Sequence, residues 1–204
     1  MRKPNGWESM DNAELLSKIR NDEPGAFEAF VDRFGDRIYG FGVRMCGERE
    51  DARDVAQDTL LQAYRSLKKL EHPEALRSWV FRVVSNACLM KRRKGNYQTN
   101  REVSLEDLMP GENEDFSASI PDPGPGAEDA LVLSETRVAV REAIDLLPPH
   151  YRMVLMLRDM EQFSTRETAE ILDLPESTIK MRLHRARLMV RKELAGEPAE
   201  GEPA

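Results

Sequence analysis

Between Lys180 and Lys192 every charged side chain is basic: Lys180, Arg182, Arg185, Arg187, Arg191 and Lys192. At helical spacing Ile179, Leu183, Ala186 and Val190 fall on one face, and Ser177, Met181, His184, Arg185 and Leu188 on the other, flanked by Lys180 and Arg187. Arg and Lys reach phosphates or guanine edges, and Ser and His bond base edges or phosphates, so these side chains suit the major groove of duplex DNA. A solvated basic face on a helical bundle is the plainer alternative. A second cluster lies in RSWVFRVVSNACLMKRRK. Its outer face carries Arg82, Ser85, Asn86, Arg92 and Arg93, with Phe81 to one side, Trp79 near the boundary and Lys91 opening a run of four cations. Aromatics interleaved with basic residues suit single-stranded nucleic acid, whose bases stack on rings while cations hold the backbone. Trp79 also reads as an ordinary core aromatic. The third set is Asp54, Gln57, Asp58, Leu61 and Arg65, aligned on the outer face of EREDARDVAQDTLLQAYRSL. A leucine among acids points to a protein partner rather than to nucleic acid, although single exposed leucines are common.

No catalytic constellation accompanies these sets. His72, His150 and His184 are far apart and lack metal-ligand spacing with Cys46 or Cys88. There is no glycine-rich phosphate loop and no nucleophile elbow. The expectation is a binding protein with no catalytic residue, no metal and no cofactor.

Helices must position all three sets. Phe27, Phe30, Val31, Phe34, Ile38, Phe41 and Met45 recur at steps of three and four, and the pattern breaks near Gly47. Ala52, Val55, Ala56, Thr59, Leu60, Ala63, Leu67 and Leu70 make the next stripe. Pro73 opens a third helix, with Leu76, Trp79, Val80, Val83, Ala87 and Met90 as its buried face. A shorter amphipathic helix around Asn12 to Arg20 precedes these. Farther on, a stripe through Leu133, Val140, Ala143, Ile144 and Leu147 ends at Pro148-Pro149, and HYRMVLMLRDM forms a short apolar helix. Ser164 with Glu167 fits a capping box. The helix it opens runs to about Leu172, Asp173 and Leu174 turn the chain, and Pro175 restarts it as a basic helix. A short helix, a tight turn and a second helix make a helix-turn-helix.

The expected fold is all-α: two small helical domains joined by a flexible acidic linker, the second containing the helix-turn-helix. Charge supports the division. The chain of 204 residues has a net charge of −7, yet residues 77–101 contain only basic charges and 102–129 only acidic ones. Basic stretches separated by an acidic one suggest two contacts with a polyanion. The acidic stretch, rich in Pro, Gly and Ser, cannot sustain a helix through PDPGPG. The boundaries are 10–98 for the first domain, 99–130 for the linker, 131–195 for the second domain and 196–204 for a disordered tail. Two cysteines are too few for a disulfide framework. The opening MRKPNGWESMDN lacks the apolar core of a signal peptide, and no apolar run approaches the ~20 residues of a membrane span. A cytoplasmic protein, not embedded in a membrane, is expected.

AFEAFVDRFGDRIYGFGVRMCGEREDARDVAQDTLLQAYRSL, then LRSWVFRVVSNACLMKRRK, then the helix-turn-helix with IKMRLHRARL, together resemble a bacterial sigma factor of the sigma-70 family, in its compact extracytoplasmic-function (ECF) group. The resemblance covers about residues 24–94 and 131–194. It implies a factor that binds core RNA polymerase and directs promoter-specific initiation. The first domain would correspond to sigma region 2 and the second to region 4. Asp54, Gln57, Asp58, Leu61 and Arg65 would dock on the clamp helices of the β′ subunit. Trp79, Phe81, Arg82, Asn86, Lys91, Arg92 and Arg93 would read and help melt the −10 element. Glu176, Ser177, Lys180, Met181, His184, Arg185 and Arg187 would read the −35 element. The resemblance further implies the β-subunit flap as a contact, promoter DNA as a ligand and an anti-sigma factor as an inhibitor. The linker would thread toward the polymerase active-site channel. Asp173 stands where the family's turn usually has Gly, and Pro175 where a capping Ser or Thr is common.

Two rivals share some of these features. A dimeric repressor or activator would use the same helix-turn-helix but need a dimer interface and no polymerase. A helical adaptor for an acidic partner would leave the basic helix from Trp79 to Lys94 without a role in melted DNA.

Overall fold

The computed structural model describes residues 10–94 and 127–195, with side chains placed for 10–91 and 136–195. Every regular element among the described residues is helical. They are α1 (Asn12–Arg20), α2 (Ala26–Cys46), α3 (Arg49–Ser66), α4 (Leu76–Lys94), α5 (Ala127–Leu146), α6 (Pro149–Leu155), α7 (Thr165–Leu172) and α8 (Glu176–Leu194). Short 3-10 turns at Leu67–Lys69 and Pro73–Ala75 link α3 to α4, so Pro73 begins a 3-10 turn that runs into the helix rather than the helix itself. A π-helical turn, Met156–Met160, extends α6. Contacts gather α1–α4 with the segment Phe163–Pro175 into one unit, and α5, α6 and α8 into another. The acidic segment 102–126 and the tail 196–204 lie outside the described residues.

In the first unit α2 is the spine. Phe30, Ile38, Phe41 and Met45 from its predicted stripe are fully buried, and α3 lies along it. The two helices approach closely at Gly42, where a Cβ would stand 3.3 Å from the Ala52 carbonyl oxygen. A side chain there would push against backbone, so the small residues at 42 and 52 set the helix spacing. Gly47 ends α2 at a φ of 81°, which an L side chain adopts only with strain. Leu15 and Leu16 of α1 are fully buried, and Asp11 caps that helix by accepting from the Glu14 amide at 2.7 Å. Arg33 ties the start of α1 to α2 by donating to the Met10 carbonyl and to the Asn12 side chain.

Toward the end of that unit, α7 opens with the anticipated capping box: the Glu167 amide donates to Ser164 Oγ at 3.1 Å and the Ser164 amide to Glu167 Oε2 at 2.7 Å. Asp173 closes α7 in the left-handed region, φ 54° and ψ 51°, and the Leu174 amide donates to the Ala169 carbonyl. Asp carries that conformation at a small cost where Gly would carry none. Helix α8 begins at Glu176, so Pro175 precedes the helix instead of being its first residue.

In the second unit α8 packs on both α5 and α6. Tyr151, Met153, Val154, Leu155, Met156 and Leu157 are buried, which makes HYRMVLMLRDM the core strip anticipated from its composition. Arg152 is buried too. Its guanidinium donates to the Asp145 and Leu147 carbonyls, satisfying the open C-terminal end of α5.

Candidate nucleic-acid and protein interfaces

Helix α3 presents Asp54, Gln57, Asp58, Leu61 and Arg65 to solvent, all exposed, while Ala52, Val55, Ala56, Thr59 and Ala63 face the core. Leu61 is 44% exposed and stands as a ridge between two grooves. One, about 420 Å³, lies between α2 and α3 and is walled by Phe27, Val31, Tyr39, Ala56, Leu60 and Tyr64. The other, about 410 Å³, lies between α3 and α4, with Asp58, Gln62 and Arg65 on one wall and Asn86, Met90 and Lys91 on the other. Tyr64 is the part of this surface that the sequence reading missed. It is 64% exposed and stands edge-on to Phe27, ring centroids 5.0 Å apart. The signal was present: Gln57, Leu61 and Tyr64 fall at i, i+4 and i+7, one face of the helix.

Helix α4 divides the second predicted set. Arg82 and Asn86 are exposed and Trp79 is half-buried. Arg82 donates to the Glu170 carbonyl oxygen at 2.8 Å within the same unit. Phe81 does not reach solvent. It is fully buried, edge-on to Phe41 at 5.5 Å and to Phe163 at 5.1 Å, with the Arg37 guanidinium 5.5 Å from its ring centre. In this structure it is a core aromatic with no face free to stack a base. Ser85 is buried as well, and Met90, assigned to the core, is 59% exposed on the groove wall. Helix α4 is covered on more than one side in its middle and emerges at its C-terminal end, which a single apolar stripe does not describe.

Lys91 is committed to acids. Its ammonium lies 3.0 Å from Asp51 Oδ1 and 2.7 Å from Asp54 Oδ2, both on α3. The hydrogen bonds from Asp54 and then Asp51 raise its pKa above the ordinary lysine value, against a smaller opposing effect of burial. The backbone of α4 continues through Arg92 and Arg93, but their side chains lie outside the described residues.

On α8 the first turns are open. Glu176, Ser177, Lys180, Met181 and His184 are all exposed and fall on one side of the helix. The opposite side is core, with Ile179, Leu183 and Ala186 buried. Farther along the pattern changes. Leu188, assigned to the outer face, is only 8% exposed, because α8 is packed by both α5 and α6. Arg185 donates to the Tyr151 hydroxyl at 3.2 Å and is half-buried. Arg187 makes a two-pronged pair with Asp159, 2.9 Å from Nε and 2.6 Å from Nη2. Those hydrogen bonds raise the Arg187 pKa, with burial opposing. The freely presented cation of the predicted DNA face is therefore Lys180, near the helix start, while Arg185 and Arg187 are anchored within the unit.

No group of three or more metal-ligating side chains is found among the described residues. No helix among them is long and apolar enough to cross a membrane.

Family models match both parts of the chain. The family model for sigma-70 region 2 matches residues 30–97, and that for sigma-70 region 4 matches residues 137–190. The ECF RNA polymerase sigma factor SigW of Bacillus subtilis is 29% identical over 181 residues, spanning 88% of this chain and 94% of that protein. The ECF RNA polymerase sigma factor SigM of Mycobacterium tuberculosis (strain Erdman) is 30% identical over 182 residues, 89% of this chain and 84% of that protein. Among solved structures, the sigma factor RpoE of Bartonella quintana, in complex with the anti-sigma factor NepR, shares the fold. Its TM-score is 0.59 at 22% identity, covering 84% of this chain and 98% of that one. Matched by the models for regions 2 and 4 and alike over most of its length to such factors, the protein belongs to the ECF group of the sigma-70 family of RNA polymerase sigma factors.

Proposed function

We propose that this chain binds core RNA polymerase and directs it to promoters, with α3 as the docking helix, α4 at the −10 element and α8 at the −35 element. The observation that carries the reading is the exposed row Asp54, Gln57, Asp58, Leu61 and Arg65, with Leu61 ridged between two grooves. Such a face suits a coiled-coil partner offering basic and apolar side chains, such as the clamp helices of β′; in a stand-alone regulator it would have to be the dimer interface. The chain's part is recognition and strand separation, and the chemistry of RNA synthesis is the polymerase's.

Within the −10 set we assign Trp79, Asn86 and, on release of the Glu170 carbonyl, Arg82 to the non-template strand, with Arg92 and Arg93 following on the same helix. Extruded bases need a ring or apolar wall and a held backbone, and these residue types supply both. Within the −35 set, Glu176, Ser177, Lys180, Met181 and His184 form the groove-facing patch. Arg185 and Arg187 are held by Tyr151 and Asp159. The flap of the β subunit would hold the second unit, and the acidic segment would run toward the active-site channel. Promoter DNA and polymerase place the protein in the cytoplasm, and an anti-sigma factor is the inhibitor we assign to it. Gel filtration with purified bacterial core enzyme tests the reading. Co-elution as a one-to-one complex supports it, and a stable free dimer that ignores polymerase contradicts it.

A further inference from the structure

Helices α3 and α4 run antiparallel from the link at Leu67–Ala75. Asp51 and Asp54 stand near the start of α3 and Lys91 near the end of α4, so their pairing closes the end of the hairpin remote from that link. Between link and pairing lies the groove walled by Asp58, Leu61 and Arg65 on one side and Asn86, Met90 and Lys91 on the other. Asp51 is the more enclosed of the two acids, its side chain 21% exposed against 61% for Asp54.

We propose that Lys91 is a positioning residue, a latch whose bonds to Asp51 and Asp54 fix the −10 helix in register against the polymerase-docking helix, and not itself a phosphate contact. The inference rests on the functional reading above. Asn86 lies five residues before Lys91, and α4 continues through Arg92 and Arg93 just beyond it. An α4 free to splay at this end would carry those residues away from the strand that the polymerase holds in place. The latch therefore joins two activities that sequence assigns to separate helices: where the chain is held and where it opens DNA. A cation bonded at 2.7 and 3.0 Å to two carboxylates has little left to offer a phosphate.

The two possible roles of Lys91 predict opposite signs for the substitution Asp51→Asn. If Lys91 touches phosphate, removing an acid frees it and promoter binding tightens. If Lys91 is a latch, Asp51→Asn loosens α4 and harms opening as Lys91→Met does. The test forms holoenzyme from purified core and wild-type, D51N, K91M, K91R or D51N/K91M chains, then measures core affinity, promoter affinity against salt, and strand opening by permanganate reactivity. The expected result is a roughly two- to fivefold loss of open complex for D51N and for K91M, the range for a partly exposed ion pair. The double variant should be no worse than either single one, K91R should restore opening, and the salt slope should not change. Tighter promoter binding by D51N, a salt slope flattened by about one phosphate in K91M, or wild-type opening in both would overturn the proposal. Should K91M fail to fold, D51N and K91R still decide it. A wild-type chain that never binds core would instead overturn the functional reading, a distinct outcome.

Discussion

Replacing Leu61 probes the proposed docking face with little risk to the fold, since the side chain is 44% exposed and its neighbours Gln57, Asp58 and Arg65 are exposed too. Fully burying a leucine is worth about 1.5–3 kcal/mol, so covering the fraction still open here is worth about 1 kcal/mol. Leu61→Ala should therefore weaken core binding about fivefold, since ~1.4 kcal/mol is a factor of ten. Leu61→Asp is more severe. It puts a carboxylate, beside Asp58, where the partner would cover it, at a cost of about 3 kcal/mol or more, which is at least ~100-fold in Kd. Both variants should unfold within about 0.5 kcal/mol of wild type, as surface substitutions do. The assay is titration of a fluorescently labelled chain with core polymerase at fixed salt, alongside urea unfolding. Wild-type affinity in a folded Leu61→Asp chain would refute the assignment of α3.

Three further outcomes follow from the geometry. Phe81→Ala should destabilise the protein by about 3–5 kcal/mol, measured by denaturant unfolding, because the ring is wholly buried against Phe41 and Phe163; an effect on DNA opening with unchanged stability would show that the ring faces a base after all. Lys180→Ala should weaken −35 binding and reduce the salt slope by about one phosphate, whereas Arg187, paired with Asp159, should change that slope less when replaced. Ser164→Ala removes one arm of the capping box and should cost about 1 kcal/mol in thermal stability, and an unchanged melting temperature would mean that solvent replaces the cap.

The exposed row on α3 was readable because it depends on one helix alone. Asp54, Asp58, Leu61 and Arg65 share a face by spacing, and the core stripe of α3 lies opposite. The capping box of α7 and the left-handed Asp173 were readable for the same reason, being local chain geometry. What the sequence hid were consequences of packing. Phe81 and Ser85 sit outside the simplest apolar stripe of α4, yet both are buried because the middle of that helix is enclosed on several sides. Leu188 is hidden on α8 in the same way. The pairing of Lys91 with Asp51 and Asp54 joins residues far apart in sequence, and so do Arg187 with Asp159 and Arg185 with Tyr151. A basic helix read alone looks wholly available to DNA. Folded, part of its charge is spent holding the protein together.

Multi-round run-off transcription with purified bacterial core polymerase on a library of promoter fragments, with and without this chain, tests the central claim most directly. The account predicts transcripts that depend on the chain, arise from a shared pair of upstream elements and vanish with Leu61→Asp. A chain that neither joins core enzyme nor yields any dependent transcript would contradict it.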